Sequence, residues 1–155
     1  MKLRVWKVVG LLVVIAAVVV AFLYWNSPAR RIRAVLSDGE AAIEAKDLDR
    51  AMSHVSLHYQ DENGFNFLTV KELLKRVFEQ FEGCDVRLAN IAVDIHDERA
   101  VVRADLEVLV IHQGEKAYLI GSGEKPALVR ITFTKDMLRW QVRSVDGLRL
   151  PLARE

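Results

Sequence analysis

Cysteine is almost missing from this chain: Cys84 is the only one in 155 residues. No disulfide can close within one chain, so the fold depends on packing alone. A lone thiol needs a neighbouring base to act as a nucleophile. Cys84 follows Gly83, where a helical pattern gives way to a strand pattern, and reads as a small apolar packing residue. Charge of one sign is also missing. Setting aside Lys2, Arg4 and Lys7 from the 22 basic residues leaves 19 against 21 acidic ones, about −2 for the rest of the chain. That excludes the clustered basic face of a nucleic-acid binder. There is no HExxH zinc motif, and Gly121-Ser122-Gly123 lacks the later glycine and Lys-Ser/Thr of a phosphate loop, so it reads as a turn. No internal repeat, low-complexity tract or second domain is visible, and no cofactor is expected.

What the chain does have is a long apolar run. Val8 to Trp25 is roughly 18 residues, enough as a helix to cross a hydrocarbon core of about 30 Å. Lys2, Arg4 and Lys7 precede it, and Arg30, Arg31 and Arg33 follow. Phe22, Tyr24 and Trp25 form an aromatic end suited to the headgroup region. A cleaved signal peptide is the rival reading, with small residues at Ser27-Pro28-Ala29, but its apolar core would be about 7 to 15 residues. No cysteine follows the run, which excludes a lipid-modified N-terminus. The expectation is a single-pass anchor over residues 1–29, linker included, with a cytoplasmic N-terminus. A single domain over residues 30–155 would then lie outside the cytoplasm, in the periplasm of a bacterium. The arginines after the run suit anionic headgroups.

After Pro28 the apolar period is helical: Ile32, Val35, Leu36, Gly39, Ala42 and Ile43 share a face, with Arg33, Glu40 and Glu44 opposite. Asp47 is placed to cap a short second helix with the stripe Leu48, Ala51, Met52 and Val55. A loop containing Asp61-Glu62-Asn63-Gly64 follows. A third helix is expected from Thr69, where Thr69 and Glu72 have capping-box spacing. Its apolar face is Val70, Leu73, Leu74, Val77, Phe78 and Phe81.

From Asp85 the period becomes 2. Val86 and Leu88, then Ile91, Val93 and Ile95, alternate with a slip near Ala89-Asn90 that predicts a bulge. A hairpin turn at His96-Asp97-Glu98 leads to Ala100, Val102, Ala104, Leu106, Val108 and Val110 on one face. A third stretch starts near Tyr118 and continues beyond a turn through Val129, Ile131 and Phe133. The fourth holds Leu138, Trp140 and Val142. Arg130, Thr132, Arg139, Gln141 and Arg143 form an outer face expected to pair with Asp105 and Glu107. The fold class is α+β: three helices packed on a curved antiparallel sheet of about four strands, preceded by one transmembrane helix.

This order of elements resembles the nuclear transport factor 2-like superfamily. The carriers are Glu44-Ala45-Lys46-Asp47-Leu48-Asp49, Tyr59-Gln60-Asp61-Glu62-Asn63-Gly64 and Leu138-Arg139-Trp140-Gln141-Val142. The resemblance covers nearly all of residues 30–150. It implies a cystatin-like cone, shared by ketosteroid isomerases, SnoaL-type cyclases, scytalone dehydratases and non-catalytic binding modules, so the fold alone assigns no activity. Ketosteroid isomerases place an Asp base and an oxyanion-binding Tyr and Asp in an apolar cone. Here the inward positions are aliphatic, and Asp105 and Glu107 have the outward parity, so no catalytic residue is assigned.

Tyr59, at an expected cone mouth, is the first candidate for touching a ligand, because it can stack and donate together. Its ring could instead pack on Trp140 or Phe65. Asp61 and Trp140 complete the candidate set, although Asp61 also fits a turn or cap. His54 and His58 stand four apart, yet zinc needs three or four ligands. A histidine near a helix end serves the last carbonyls equally well, so no metal is assigned. The functional expectation is a non-enzymatic binding or accessory module tethered to the membrane of the cell envelope. Its partner would be an envelope protein or an apolar small molecule. The alternative is an anchored small-molecule-binding protein or enzyme of the isomerase or cyclase type. Charges on the outer sheet face point to a monomer or a weak homodimer.

Overall fold

The computed structural model describes the backbone of residues 2–148, with side chains from Gly10 onward. Among these residues there are four helices and five strands: α1 (Lys2–Trp25), α2 (Pro28–Glu44), α3 (Leu48–Ser53), α4 (Phe67–Gln80), β1 (Gly83–His96), β2 (Arg99–His112), β3 (Glu115–Ile120), β4 (Ala127–Asp136) and β5 (Arg139–Asp146).

The expected transmembrane helix is not shown by the described residues. Among the described residues no single helix is long and apolar enough to cross a membrane. Side chains of α1 are described over Gly10–Trp25, about 24 Å of helix, against a span of about 30 Å. This stretch passes only together with Pro28–Glu44, across a bend of 43°. That partner is an amphipathic domain helix which buries Ile32, Leu36 and Ala42. Lys2, Arg4 and Lys7 lie outside the described side chains. The expected linker, Asn26 to Ala29, shrinks because Ser27 caps α2 and Pro28 occupies its first turn, where a missing N–H costs nothing.

The sheet is antiparallel throughout, in the order β1-β2-β4-β5. Its inward positions are the expected ones: Ala100, Val102, Ala104, Leu106, Val108, Val110, Val129, Ile131 and Phe133 are all buried, and Ile32 and Leu36 of α2 pack on them. Phe133, Ile32 and Val102 are the largest fully buried side chains, each worth about 1.5–3 kcal/mol of burial. Cys84 belongs to the same core, and burial pushes its thiol pKa up. The register slips between Ala89 and Ala92, around Asn90 with its φ of 52°. A bulge there bends β1 as the broken alternation predicts.

The third stretch is two strands rather than one, which raises the expected four to five. β3 pairs with Val108–His112 of β2, and β4 takes over the same edge of β2 from Leu106 back to Arg99. Gly121 makes the exchange, with φ 71° and its Cα side so close to the backbone that a Cβ would stand 2.8 Å from the Leu106 carbonyl oxygen. The expected outer-face ion pairs are absent among the described residues. The β2–β4 register sets Arg103 opposite Arg130 and Asp105 opposite Leu128, and Asp105 accepts from Asn90 instead (2.6 Å). Leu138 is not a strand core residue but an exposed turn residue.

Helix α4 starts two residues before Thr69. Asn66 is its N-cap, and the Asn66 Oδ1 accepts from the Thr69 N–H (3.0 Å) and the Thr69 hydroxyl (3.1 Å). The capping box therefore yields to a single Asn cap, because Thr69 lies inside the helix. Asn66→Ala is expected to cost about 1 kcal/mol of stability and Glu72→Ala far less. Urea unfolding of the two variants reads the difference, and equal losses would restore Glu72 as a cap.

Candidate functional site

The candidate site is the space between the helices and the edge strands of the cone. α2 lies along the free edge of β1, where the strand still carries unpaired backbone groups. Glu40 Oε1 accepts from the Leu88 N–H (2.8 Å), and the Arg33 guanidinium donates to the Ile91 carbonyl (3.1 Å). Glu40 is thus half-buried, which corrects its expected place on the wet side of α2. Helical periodicity identifies a polar face, but a strand edge with an open N–H makes that face an interior one.

α3 is turned back on α2 by Lys46, whose φ of 55° accompanies a bond from its ammonium to the Phe81 carbonyl (2.8 Å). Asp47 caps α3 as expected, accepting from the Arg50 N–H (3.0 Å). The packing of α3 on α2 joins Asp38, Arg50 and His54. Asp38 accepts from Arg50 through both carboxylate oxygens and lies 2.5 Å from His54 Nε2. The Arg50 hydrogen bond, then the His54 one, holds the Asp38 pKa down at about 2. An ionised Asp38 accepts a hydrogen bond from His54 Nε2–H, and in the neutral imidazole Nδ1 then carries the lone pair.

A cavity of about 210 Å³ lies behind this network. Its walls come from α2 (Val35, Leu36, Gly39, Glu40, Ile43), α3 and the following loop (Ala51, His54, Val55, Tyr59), α4 (Val70, Leu74), β1 (Val86, Leu88) and β5 (Val142, Val145). No residue of α4 is fully buried: Val70 and Leu74 line the cavity, and Val77 packs against the core. Glu40, His54 and Tyr59 are the polar groups in an otherwise apolar lining.

Of the three residues singled out in the sequence, Tyr59 alone lines the cavity. It is buried, and its hydroxyl donates to Asp61 Oδ2 (2.9 Å) and accepts from the Val145 N–H (3.2 Å). Burial, and then the Asp61 carboxylate, push its pKa up. Asp61 closes its own turn, accepting at Oδ1 from the N–H groups of Asn63 (2.9 Å) and Phe65 (3.0 Å). Trp140 is buried in the core and borders a separate groove with Arg31, Leu138 and Arg139. His58 stands exposed beyond the end of α3, so the two histidines do not share a helix face. Sequence reading missed Asp38 and Glu40. Asp38 and His54 are sixteen residues apart on different elements, and no short-range spacing signals their meeting.

No family model matches the chain. Solved structures do. A proposed scytalone dehydratase from Novosphingobium aromaticivorans superposes with a TM-score of 0.65 at 14% identity, over 82% of this chain and 94% of that one. An NTF2-like protein with a cystatin-like fold from the same organism gives a TM-score of 0.63 at 14% identity, over 84% and 90%. Bd1075 of Bdellovibrio bacteriovorus gives 0.63 at 12% identity over 77% of this chain, which spans only 40% of that protein. At such identities the likeness shows the fold alone: the chain has a cystatin-like fold.

Two outcomes follow from the geometry. Tyr59→Phe leaves the Val145 N–H without its acceptor and is expected to cost about 1–2 kcal/mol in urea unfolding; a neutral change would mean the hydroxyl is not structurally engaged. Asp38 has a depressed pKa, so its stabilisation is complete above its ordinary value of 3.8 and lost as pH falls toward about 2. Urea midpoints measured across that window should fall less steeply for Asp38→Asn than for the unchanged chain.

Proposed function

We propose that this chain is a membrane-anchored binding module of the cell envelope whose cone holds a small, mainly apolar molecule. The observation that carries this reading is the cavity of about 210 Å³ between α2, α4 and the sheet. That is below the roughly 300–1,000 Å³ of drug-sized sites and above the roughly 150 Å³ that admits benzene into a protein core. A one-ring compound with one polar group fits best. Glu40 or His54 would meet the polar group, and the aliphatic wall the ring. The folds of proposed dehydratases among the neighbours are consistent with a small-molecule cone.

The anchor is part of the same proposal. α1 as a whole has 24 residues, about 36 Å of helix. The apolar side chains from Leu11 to Trp25 stand exposed rather than packed on the domain, as lipid-facing residues would. The arginines after α1 would meet headgroups, with the N-terminus in the cytoplasm and the domain outside. An envelope protein partner remains the reading for the outer surface, with the domain a monomer or a weak, salt-sensitive dimer. A second reading, an enzyme of the isomerase or cyclase type, is favoured by one feature. His54, on the cavity wall, and Asp38 behind it have the arrangement of a general base with its orienting carboxylate.

Gly39 provides the test. It lines the cavity, and a Cβ built there meets nothing within 4 Å. Gly39→Leu is expected to fill the space and to raise the melting temperature, because Gly in a helix interior costs about 1 kcal/mol. It should also abolish any thermal stabilisation of the full chain by one-ring phenols or aromatic acids. A ligand shift that survives Gly39→Leu would move binding elsewhere. No shift with any such compound would sink the reading. Turnover of a ligand that His54→Ala removes without changing binding would favour the enzyme.

A further inference from the structure

The sheet has three two-residue hairpin turns whose first residues share one backbone conformation and differ in chemistry. Asp97, Gln113 and Met137 each stand first in their turn, with φ of 54°, 53° and 52°, a left-handed conformation that suits Asn, Asp and Gly and suits bulky residues poorly. Asp97-Glu98 and Gln113-Gly114 are polar or glycine pairs, as such turns favour. Met137-Leu138 is wholly apolar, and its side chains are 91% and 77% exposed. Neither side chain belongs to the hydrophobic core.

The location of this turn supplies a reason. From Arg33 to Glu40, α2 runs from Ile91 back to Leu88. Its N-terminal end therefore lies at the end of the sheet that carries the 97–98 and 137–138 turns. Arg31, Leu138 and Arg139 line one groove there. α1 leaves from the same end, bent 43° from α2. The Arg30 guanidinium stacks 4.8 Å over the Tyr24 ring, and Arg31 bonds Asn26 across the junction. The apolar helix and the apolar hairpin tip thus project from one pole of the domain, with cations between them.

We propose that the Met137-Leu138 tip seats in the interfacial layer of the bilayer that holds α1, with Arg31 and Arg139 at anionic headgroups. The proposal rests on reading α1 as an anchor. Asp136, opposite Arg139 in the register, offsets part of the local charge. The acidic Asp97-Glu98 turn beside it belongs on the water side, so a single hairpin enters. A helix alone leaves the domain free to rotate about its tether. A second contact fixes which face looks along the membrane.

The test uses the full chain with Cys84→Ala, carrying Met137→Cys or, at the opposite end of the sheet, Lys116→Cys. Each is labelled with an environment-sensitive NBD dye and reconstituted in phosphatidylcholine–phosphatidylglycerol vesicles, with or without a nitroxide at the headgroup. An alkaline carbonate wash reports whether the chain is integrated. Retention of the chain, a blue-shifted emission at position 137 and its quenching by the nitroxide, with position 116 unaffected, is the expected result. Retention with position 137 as water-exposed as position 116 would overturn the hairpin contact and leave the anchor standing. Release of the chain by carbonate would overturn the anchor reading and this proposal with it. If Cys84→Ala fails to fold, a photo-crosslinking residue at Met137 in the unaltered chain reads the same contact through lipid adducts.

Discussion

The clamp of α2 on the open edge of β1 is the constraint on which the cone depends. An edge strand has N–H and C=O groups without partners in the sheet, and each one buried unpaired costs about 1–3 kcal/mol. Glu40 and Arg33 answer one of each, either side of the bulge at Asn90. Side chains are longer than a strand-to-strand bond, so α2 stands off from β1 instead of packing flush. The cavity lies between them, lined by Val35, Gly39 and Ile43 of α2 and by Val86 and Leu88 of β1.

The other walls follow from that placement. Once α2 is fixed, the left-handed turn at Lys46 sends α3 back across it, and Asp38 gains Arg50 and His54 as partners. The loop after α3 then joins β5 through the Ser56 N–H to the Val142 carbonyl and the Gln60 N–H to the Arg143 carbonyl. Tyr59 reaches the Val145 N–H from the same loop. Edge strand β5 is thereby covered by a loop as β1 is covered by a helix. Both ends of the open sheet are protected, and each protecting segment delivers a polar side chain to the cavity: Glu40 on one side, His54 and Tyr59 on the other.

The polar groups nearest the cavity differ in how free they are. Tyr59 uses its hydroxyl twice in holding the loop, which makes it a poor donor to a ligand. One oxygen of Glu40 is committed to Leu88. His54 has one nitrogen fixed by Asp38 and the other without a bond from the network, so it is the most available of the three. A site of this kind favours orientation of a small molecule by one hydrogen bond, with affinity drawn from apolar burial.

Much of the fold was legible in the sequence because a period reports burial directly. The inward face from Ala100 to Val110, the slip at Ala89-Asn90, the Asp47 cap and the packing role of Cys84 each follow from local pattern, and the amphipathic stripe of α2 does too. The β3–β4 exchange was not legible, since a turn followed by more apolar residues looks like one strand until it is known which edge of β2 is free. The site was mostly hidden for a related reason. Trp140 and Asp61 carry suggestive chemistry but sit in core and turn, while Asp38 and Glu40 look like solvated helix residues. What the sequence determined by itself is which residues avoid water, because side-chain chemistry and backbone period suffice for that. Only the tertiary structure decided which polar residues avoid it as well, because that depends on the backbone groups and opposite charges that distant segments bring against them.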